Sequence, residues 1–175
     1  MVAWNVTGRE MRWRNHQMIT GIAIYSITGG FLSAWLAAAG SVLPDVLELN
    51  GLIKHRTVTH WPYPYLVMAA VLYALEYRTP SIVLYLIFFM LLGVIFHLLL
   101  DGLSITGIPV GLKPTSNRRV ALNLYTTFTP SEDLTTAGLI VVFLAITCFR
   151  GFLNTQHIQL ELSMIVGLLG ALAGR

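Results

Sequence analysis

Five residues of this chain, His16, Asp45, His60, His97 and Asp101, sit at the edges of apolar runs, two of them spaced as His97-x-x-x-Asp101. Ionisable side chains beside a bilayer are costly unless paired, hydrated or bound to an ion, so each is a functional candidate. Imidazole mixed with carboxylate is a ligand set that suits zinc or a similar divalent ion. Residues four apart share one face of a helix, so His97 and Asp101 can bind the same ion. Asp45, directly after Pro44, and His60, directly before a later apolar run, are placed to complete the shell, with His16 either joining it or holding a second ion. His55 and His60 are five apart, about 140° around a helix, so only one of them faces the ion if that stretch is helical. His60 is the choice. His55, between Lys54 and Arg56, reads as a loop residue or a phosphate contact. Glu48 could serve as a further ligand, a partner for a histidine, or a general base, with a solvated loop glutamate as the alternative. Arg118 and Arg119 match phosphate in a bidentate geometry, or else mark topology. Glu132 and Asp133 precede an apolar run and suit a helix N-terminus. His157 has no carboxylate at ligand spacing and reads as a loop residue.

These residues need elements to carry them. The 175 residues are 55% hydrophobic and only 11% charged, well under the roughly 25% charged of soluble proteins. This is the composition of an integral membrane protein. Its length fits a single membrane domain over 1–175, with a basic N-terminal segment at 1–15 and a long polar loop at 101–133. The net charge of +3 is spread over short groups flanking apolar runs, without the basic stripe interleaved with aromatics that nucleic acid requires. The single cysteine, Cys148, excludes an internal disulfide and has no zinc-ligand spacing. Three arginines precede the first apolar stretch as in a secretory signal, but Met18 to Leu43 is long for a signal core.

The apolar runs predict an all-α polytopic bundle, because neither open sheet edges nor irregular backbone survive in lipid. Helices are expected over about 60–77, 81–100, 134–150 and 159–173, after an N-terminal segment over about 16–43. Thr28-Gly29-Gly30 is a plausible break in that segment. A single unbroken span would separate His16 from Asp45 by roughly 43 Å at 1.5 Å per residue. A short hairpin would bring them together. Cytoplasmic flanks carry excess Lys and Arg. The hairpin groups Arg9, Arg12, Arg14, Lys54, Arg56, Lys113, Arg118, Arg119 and, if the last helix crosses, Arg175 on one side and leaves Arg78 and Arg150 on the other, whereas a single span leaves almost no bias. The hairpin is therefore favoured, with the candidate ligands at the cytoplasmic face. Trp4, Trp13, Trp61, Tyr63 and Tyr65 fit an interfacial belt, and Gly167, Gly170 and Gly174 suit close helix contact, within the chain or in a homo-oligomer or membrane complex.

Three segments carry a resemblance: Gly40-Ser-Val-Leu-Pro-Asp45, His55-Arg-Thr-Val-Thr-His60 and Phe96-His-Leu-Leu-Leu-Asp-Gly-Leu-Ser-Ile-Thr-Gly-Ile-Pro109. In this order and spacing they resemble the YdjM-like family of membrane-bound metal-dependent hydrolases. His16 matches the family's N-terminal histidine, and Arg118-Arg119 with Leu122 to Glu132 its downstream region. Val46-Leu47-Glu48 and Trp61 depart from its pattern. The ligand order is more distantly similar to that of zinc-dependent phospholipases C and related nucleases. The resemblance implies hydrolysis of a phosphoester in a lipid or lipid-linked molecule at the inner membrane. Asp45, His60, His97 and Asp101 would bind zinc or another divalent ion, one or two in number, that activates water. Glu48 would shuttle a proton, Asp101 would belong to the catalytic set, and Arg118, Arg119 and His55 would meet substrate. Two other readings compete with this one: a non-catalytic scaffold or adaptor with a structural metal, and a small transporter.

Overall fold

A computed structural model describes residues 13–48, 52 and 56–174. Helices α1 (Trp13–Thr28), α2 (Phe31–Gly40) and α3 (Leu43–Val46) lead through a 3-10 turn at Val58–His60 to α4 (Pro62–Arg78) and α5 (Ile82–Leu103). A polar connection carrying β1 (Ile108–Pro109) and β2 (Arg119–Val120) precedes α6 (Pro130–Phe149) and α7 (Thr155–Leu172). The bundle is all-α but for that antiparallel ladder, in which Ile108 faces Val120 and Pro109 faces Arg119.

The first apolar segment is broken at Gly29-Gly30, and the physical cause is local. Gly29 takes the left-handed φ of 71° that ends α1, its N–H donating to the Tyr25 carbonyl at 2.7 Å. Only glycine adopts that conformation without strain. Thr28 Oγ1 then accepts from Gly30 N at 3.1 Å, and the chain reverses into α2. A Gly29→Ala substitution is expected to cost about 1 kcal/mol from backbone strain alone. The new Cβ would also meet His157 Nε2 at 2.9 Å and the Phe152 ring at 3.0 Å. A thermal midpoint in detergent equal to the parent's would contradict this account of the turn.

Helix α1 packs on α2 and α6, and α5 on α2 and α4. Glycine permits a close approach between α2 and α5. A Cβ on Gly40 would collide with the Met90 backbone, and one on Gly93 with the Ala37 carbonyl. Small residues are the usual means of bringing backbones together in lipid, where apolar burial between helices offers little driving force. Below this contact Leu72, Leu91 and Val94 form an apolar cluster between α4 and α5. On the other side Ile19, Leu100 and Tyr125 are buried together, with Leu139, Ile140 and Phe143 of α6 against them.

Two of the helix ends that lie three or four residues from the expected positions do so for identifiable reasons. Helix α6 starts at Pro130 rather than near 134, because proline is pre-organised for the first helical position and Thr129 precedes it with extended angles. Helix α5 continues to Leu103, past the expected end near 100, because the following loop satisfies its last carbonyls. Leu122 N donates to Gly102 O at 2.9 Å and Leu124 N to Leu103 O at 2.8 Å, while the buried Tyr125 hydroxyl donates to Leu100 O at 3.0 Å. That strap holds the turn bearing Asp101.

Helices α5 and α6 are long and apolar enough to cross a membrane; at 1.5 Å per residue the 22 residues of α5 match a hydrocarbon core of roughly 30 Å. Their outer faces expose Ile82, Val83 and Ile87, and Leu134, Val141, Val142 and Leu144. A soluble protein would bury such helices, whereas lipid solvates those faces. Helix α7 is anchored at its start, where His157 Nε2 donates to Gly29 O at 2.8 Å and Glu161 accepts from Phe31 N at 3.1 Å. His157 is thus a tether between helix ends.

Candidate metal centre

Element order decides where the polar residues meet. The start of α1, the turns after α2, the start of α4, the end of α5 and the start of α6 all occupy one end of the bundle. His16, Asp45, His60, His97 and Asp101 therefore converge there, all five buried. The break at Gly29-Gly30 is what returns Asp45 to the level of His16.

Each imidazole that carries a hydrogen-bonded Nδ1 turns its Nε2 to a common centre. His97 Nδ1 donates to the Ser41 carbonyl at 2.6 Å, which leaves the lone pair on Nε2. His60 Nδ1 lies 3.1 Å from Glu48 Oε1, which also accepts from Thr59 Oγ1 at 3.0 Å and from Arg56 N at 3.1 Å. The two Nε2 atoms are then only 3.1 Å apart. Two lone pairs at that separation repel unless a proton or a cation lies between them. Around them, His60 Nε2 is 3.3 Å from Asp45 Oδ1 and 3.4 Å from Asp101 Oδ2. His97 Nε2 is 3.5 Å from Asp45 Oδ1 and 3.8 Å from Asp101 Oδ2. Ligands about 2.0–2.1 Å from a tetrahedral zinc are separated by roughly 3.3–3.4 Å. The five contacts, 3.1–3.8 Å, bracket that spacing.

His16 lies beside this set, its ring stacked on His97 with centroids 4.0 Å apart. Its Nε2 is 3.6 Å from Asp101 Oδ1, and neither ring nitrogen makes a hydrogen bond although the residue is fully buried. Two ligand groups result, His16 with His97 and Asp101, and Asp45 with His60 and His97. Both include His97, whose Nδ1 is held by Ser41 O, and the one remaining nitrogen serves one ion at a time. The charges agree with a single ion. Among the described residues of the cluster, Asp45, Glu48 and Asp101 contribute three negative charges and Arg56 one positive, an excess of two that one divalent cation neutralises.

Without metal, His60 takes up part of this excess. Burial by itself lowers its pKa, but hydrogen bonds to Asp45 and Glu48 and the charge of Asp101 outweigh burial and push it up to about 9. Coordination needs the neutral ring, so metal must displace that proton. Metal affinity is therefore expected to rise about tenfold per pH unit as pH climbs toward 9, and to lose this dependence above it. Calorimetric titration in buffers of different ionisation enthalpy reads the released proton directly; an affinity unchanged between pH 7 and 9 would contradict it.

The remaining candidates are not in either ligand group. Glu48 is buried behind His60. Arg118 is exposed on the β2 side of the loop. Arg119 is exposed as well, its guanidinium 3.3–3.4 Å from the carbonyls of Arg56, Thr106 and Gly107. His55 lies outside the described residues. Two polar contacts at this end were not anticipated. Arg56 Nη2 donates to Asp101 Oδ1 at 2.8 Å, although the sequence suggested a topology signal or a phosphate contact; its place in the His55-Arg-Thr-Val-Thr-His60 segment was the available clue. Asn15 Nδ2 donates at 2.6 Å to the buried Glu132, which also accepts from Phe128 N at 2.7 Å. That carboxylate does more than compensate a helix dipole, since it joins α6 to α1 one residue from His16.

Residues 11–173, nearly the whole chain, match the model of a family described as YdjM inner membrane protein. The chain belongs to that family. Comparisons with curated proteins and with solved structures gave no match. Membership of the YdjM family and the two apolar helices with lipid-suited outer faces make this a membrane protein. The buried His and Asp groups of this YdjM chain could hold a metal ion.

Proposed function

We propose that this YdjM protein is a divalent-metal-dependent hydrolase of the inner membrane that cleaves a phosphoester in a lipid or lipid-linked molecule. The observation that carries the metal assignment is the convergence of His60 Nε2, His97 Nε2, Asp45 Oδ1 and Asp101 Oδ2 at 3.1–3.8 Å, with both histidines oriented from behind. Zinc fits this donor set best. A divalent ion there supplies Lewis acidity to a phosphoryl oxygen and lowers the pKa of water. The chain's own residues hold the donors: Ser41 and Glu48 fix the two imidazoles, and the strap after Gly102 fixes Asp101.

Position supports the lipid part of the reading. Trp13 and Tyr63 are exposed at the site's end of the bundle, where interfacial aromatics mark headgroup depth. Arg14, Lys113, Arg118 and Arg119 lie at the same end, with Arg78 and Arg150 at the other, which favours a cytoplasmic site. The exposed Arg119 reaches the carbonyl of Arg56, which itself holds Asp101, and suits a phosphate approaching from the interface.

One observation favours a second reading, a non-catalytic membrane subunit with a structural metal. All five donors are buried, and the two apolar cavities described, of about 520 and 300 Å³, have none of them in their linings. Phosphate or headgroup release from vesicles of phosphatidylglycerol and phosphatidic acid separates the two. The hydrolase reading expects release that is sensitive to chelator and absent in Asp45→Asn. Metal-loaded protein that cleaves neither lipid supports the structural role.

A further inference from the structure

We propose that Arg56 is a positioning residue that fixes which oxygen of Asp101 faces the ion, an inference that rests on the metal assignment above. Arg56 is buried, and its contacts reach both Asp101 and Glu48. Its Nη2 holds Asp101 Oδ1 at 2.8 Å, so the other oxygen, Oδ2, is the one turned toward His60 and His97. Its Nη1 donates to Ser104 Oγ at 3.0 Å, to Gly107 O at 3.2 Å and to Thr106 Oγ1. The fork is thereby pinned to the turn that follows α5. Meanwhile its backbone N–H donates to Glu48 Oε1, the oxygen behind His60 Nδ1.

One residue thus stands behind two ligands, Asp101 through its guanidinium and His60 through Glu48. The backbone pays a conformational cost for this, with φ at 54° in a residue other than glycine. Strain of this kind persists only where the surroundings over-determine it, and it concentrates at functional sites. Planarity matters here as well as charge. A guanidinium can hold a carboxylate oxygen on one nitrogen and the α5 turn on another, and a lysine ammonium has no such fork. With Oδ1 held by Arg56 on the His16 side, Oδ2 is the oxygen that Asp101 turns to His60 and His97.

The test uses the full chain in detergent, stripped of metal and titrated with Co²⁺, whose visible absorption reports the ligand geometry, with affinity set by chelator competition. Arg56→Gln is expected to bind about 10–100-fold more weakly, the range for losing a residue that orients a ligand, and to shift the Co²⁺ band. Arg56→Lys should recover part of the affinity and keep the shifted band, while Lys113→Gln on the exposed loop should match the parent. Parental affinity with an unshifted band in Arg56→Gln overturns the proposal. Failure to recover either Arg56 variant as folded protein overturns it too, because Arg56 would then determine the fold. A parent chain that binds no Co²⁺ overturns the metal assignment itself, an outcome distinct from the others.

Discussion

Replacing His97 with alanine is expected to abolish stoichiometric metal binding, with a loss greater than the roughly 10–100-fold that follows removal of an orienting partner. Among the described residues of the two ligand groups no other substitution should match it, because His97 is shared by both. Its Nε2 approaches His60, Asp45 and Asp101, so alanine removes one vertex from either arrangement of donors. Loss of His16, by contrast, leaves the group formed by Asp45, His60 and His97 intact. His16→Ala should therefore retain metal with lowered affinity. Metal content of the two variants, measured on folded protein, checks the ranking. Stoichiometric metal in His97→Ala would place the site elsewhere.

Gly93→Ala is the second large effect, and it reaches the centre without touching a ligand. The added methyl would run into the Ala37 carbonyl on α2, and backbone cannot give way as a flexible side-chain tip can. Overpacking of this kind costs about 1–3 kcal/mol, or more when both sides are main chain. The thermal midpoint should fall by roughly 2–4 °C for each kcal/mol in a chain of this size. Moving α2 off α5 also breaks the contact between Ser41 O and His97 Nδ1, since Gly93 is one turn before His97 and Ser41 directly follows Gly40. Weaker metal binding and a lower midpoint are thus expected together. A stable variant with unaltered affinity would show that this close approach does not position the centre.

The all-α architecture and the hairpin were legible in the sequence because lipid leaves few options. Long apolar runs must be helices, a Gly-Gly pair in one of them can reverse the chain, and the Lys and Arg distribution favours that reversal. The short ladder of Ile108–Pro109 with Arg119–Val120 was not legible, since two-residue strands leave no periodic signal. At the site, ligand types announced themselves by their cost near a membrane. Orienting partners did not. Arg56 looked like any juxtamembrane arginine, Ser41 acts through a carbonyl that no sequence pattern records, and Asn15 meets Glu132 across 117 positions. Such contacts depend on tertiary packing, which the spacing of residues along one helix does not encode.

The central claim is that one divalent ion neutralises the excess of buried negative charge at the end of the bundle. Elemental analysis of the purified full chain, after chelator stripping and reloading with zinc, tests it most directly. One zinc per chain, retained through gel filtration, is the predicted result, and a chain that retains no zinc would contradict it.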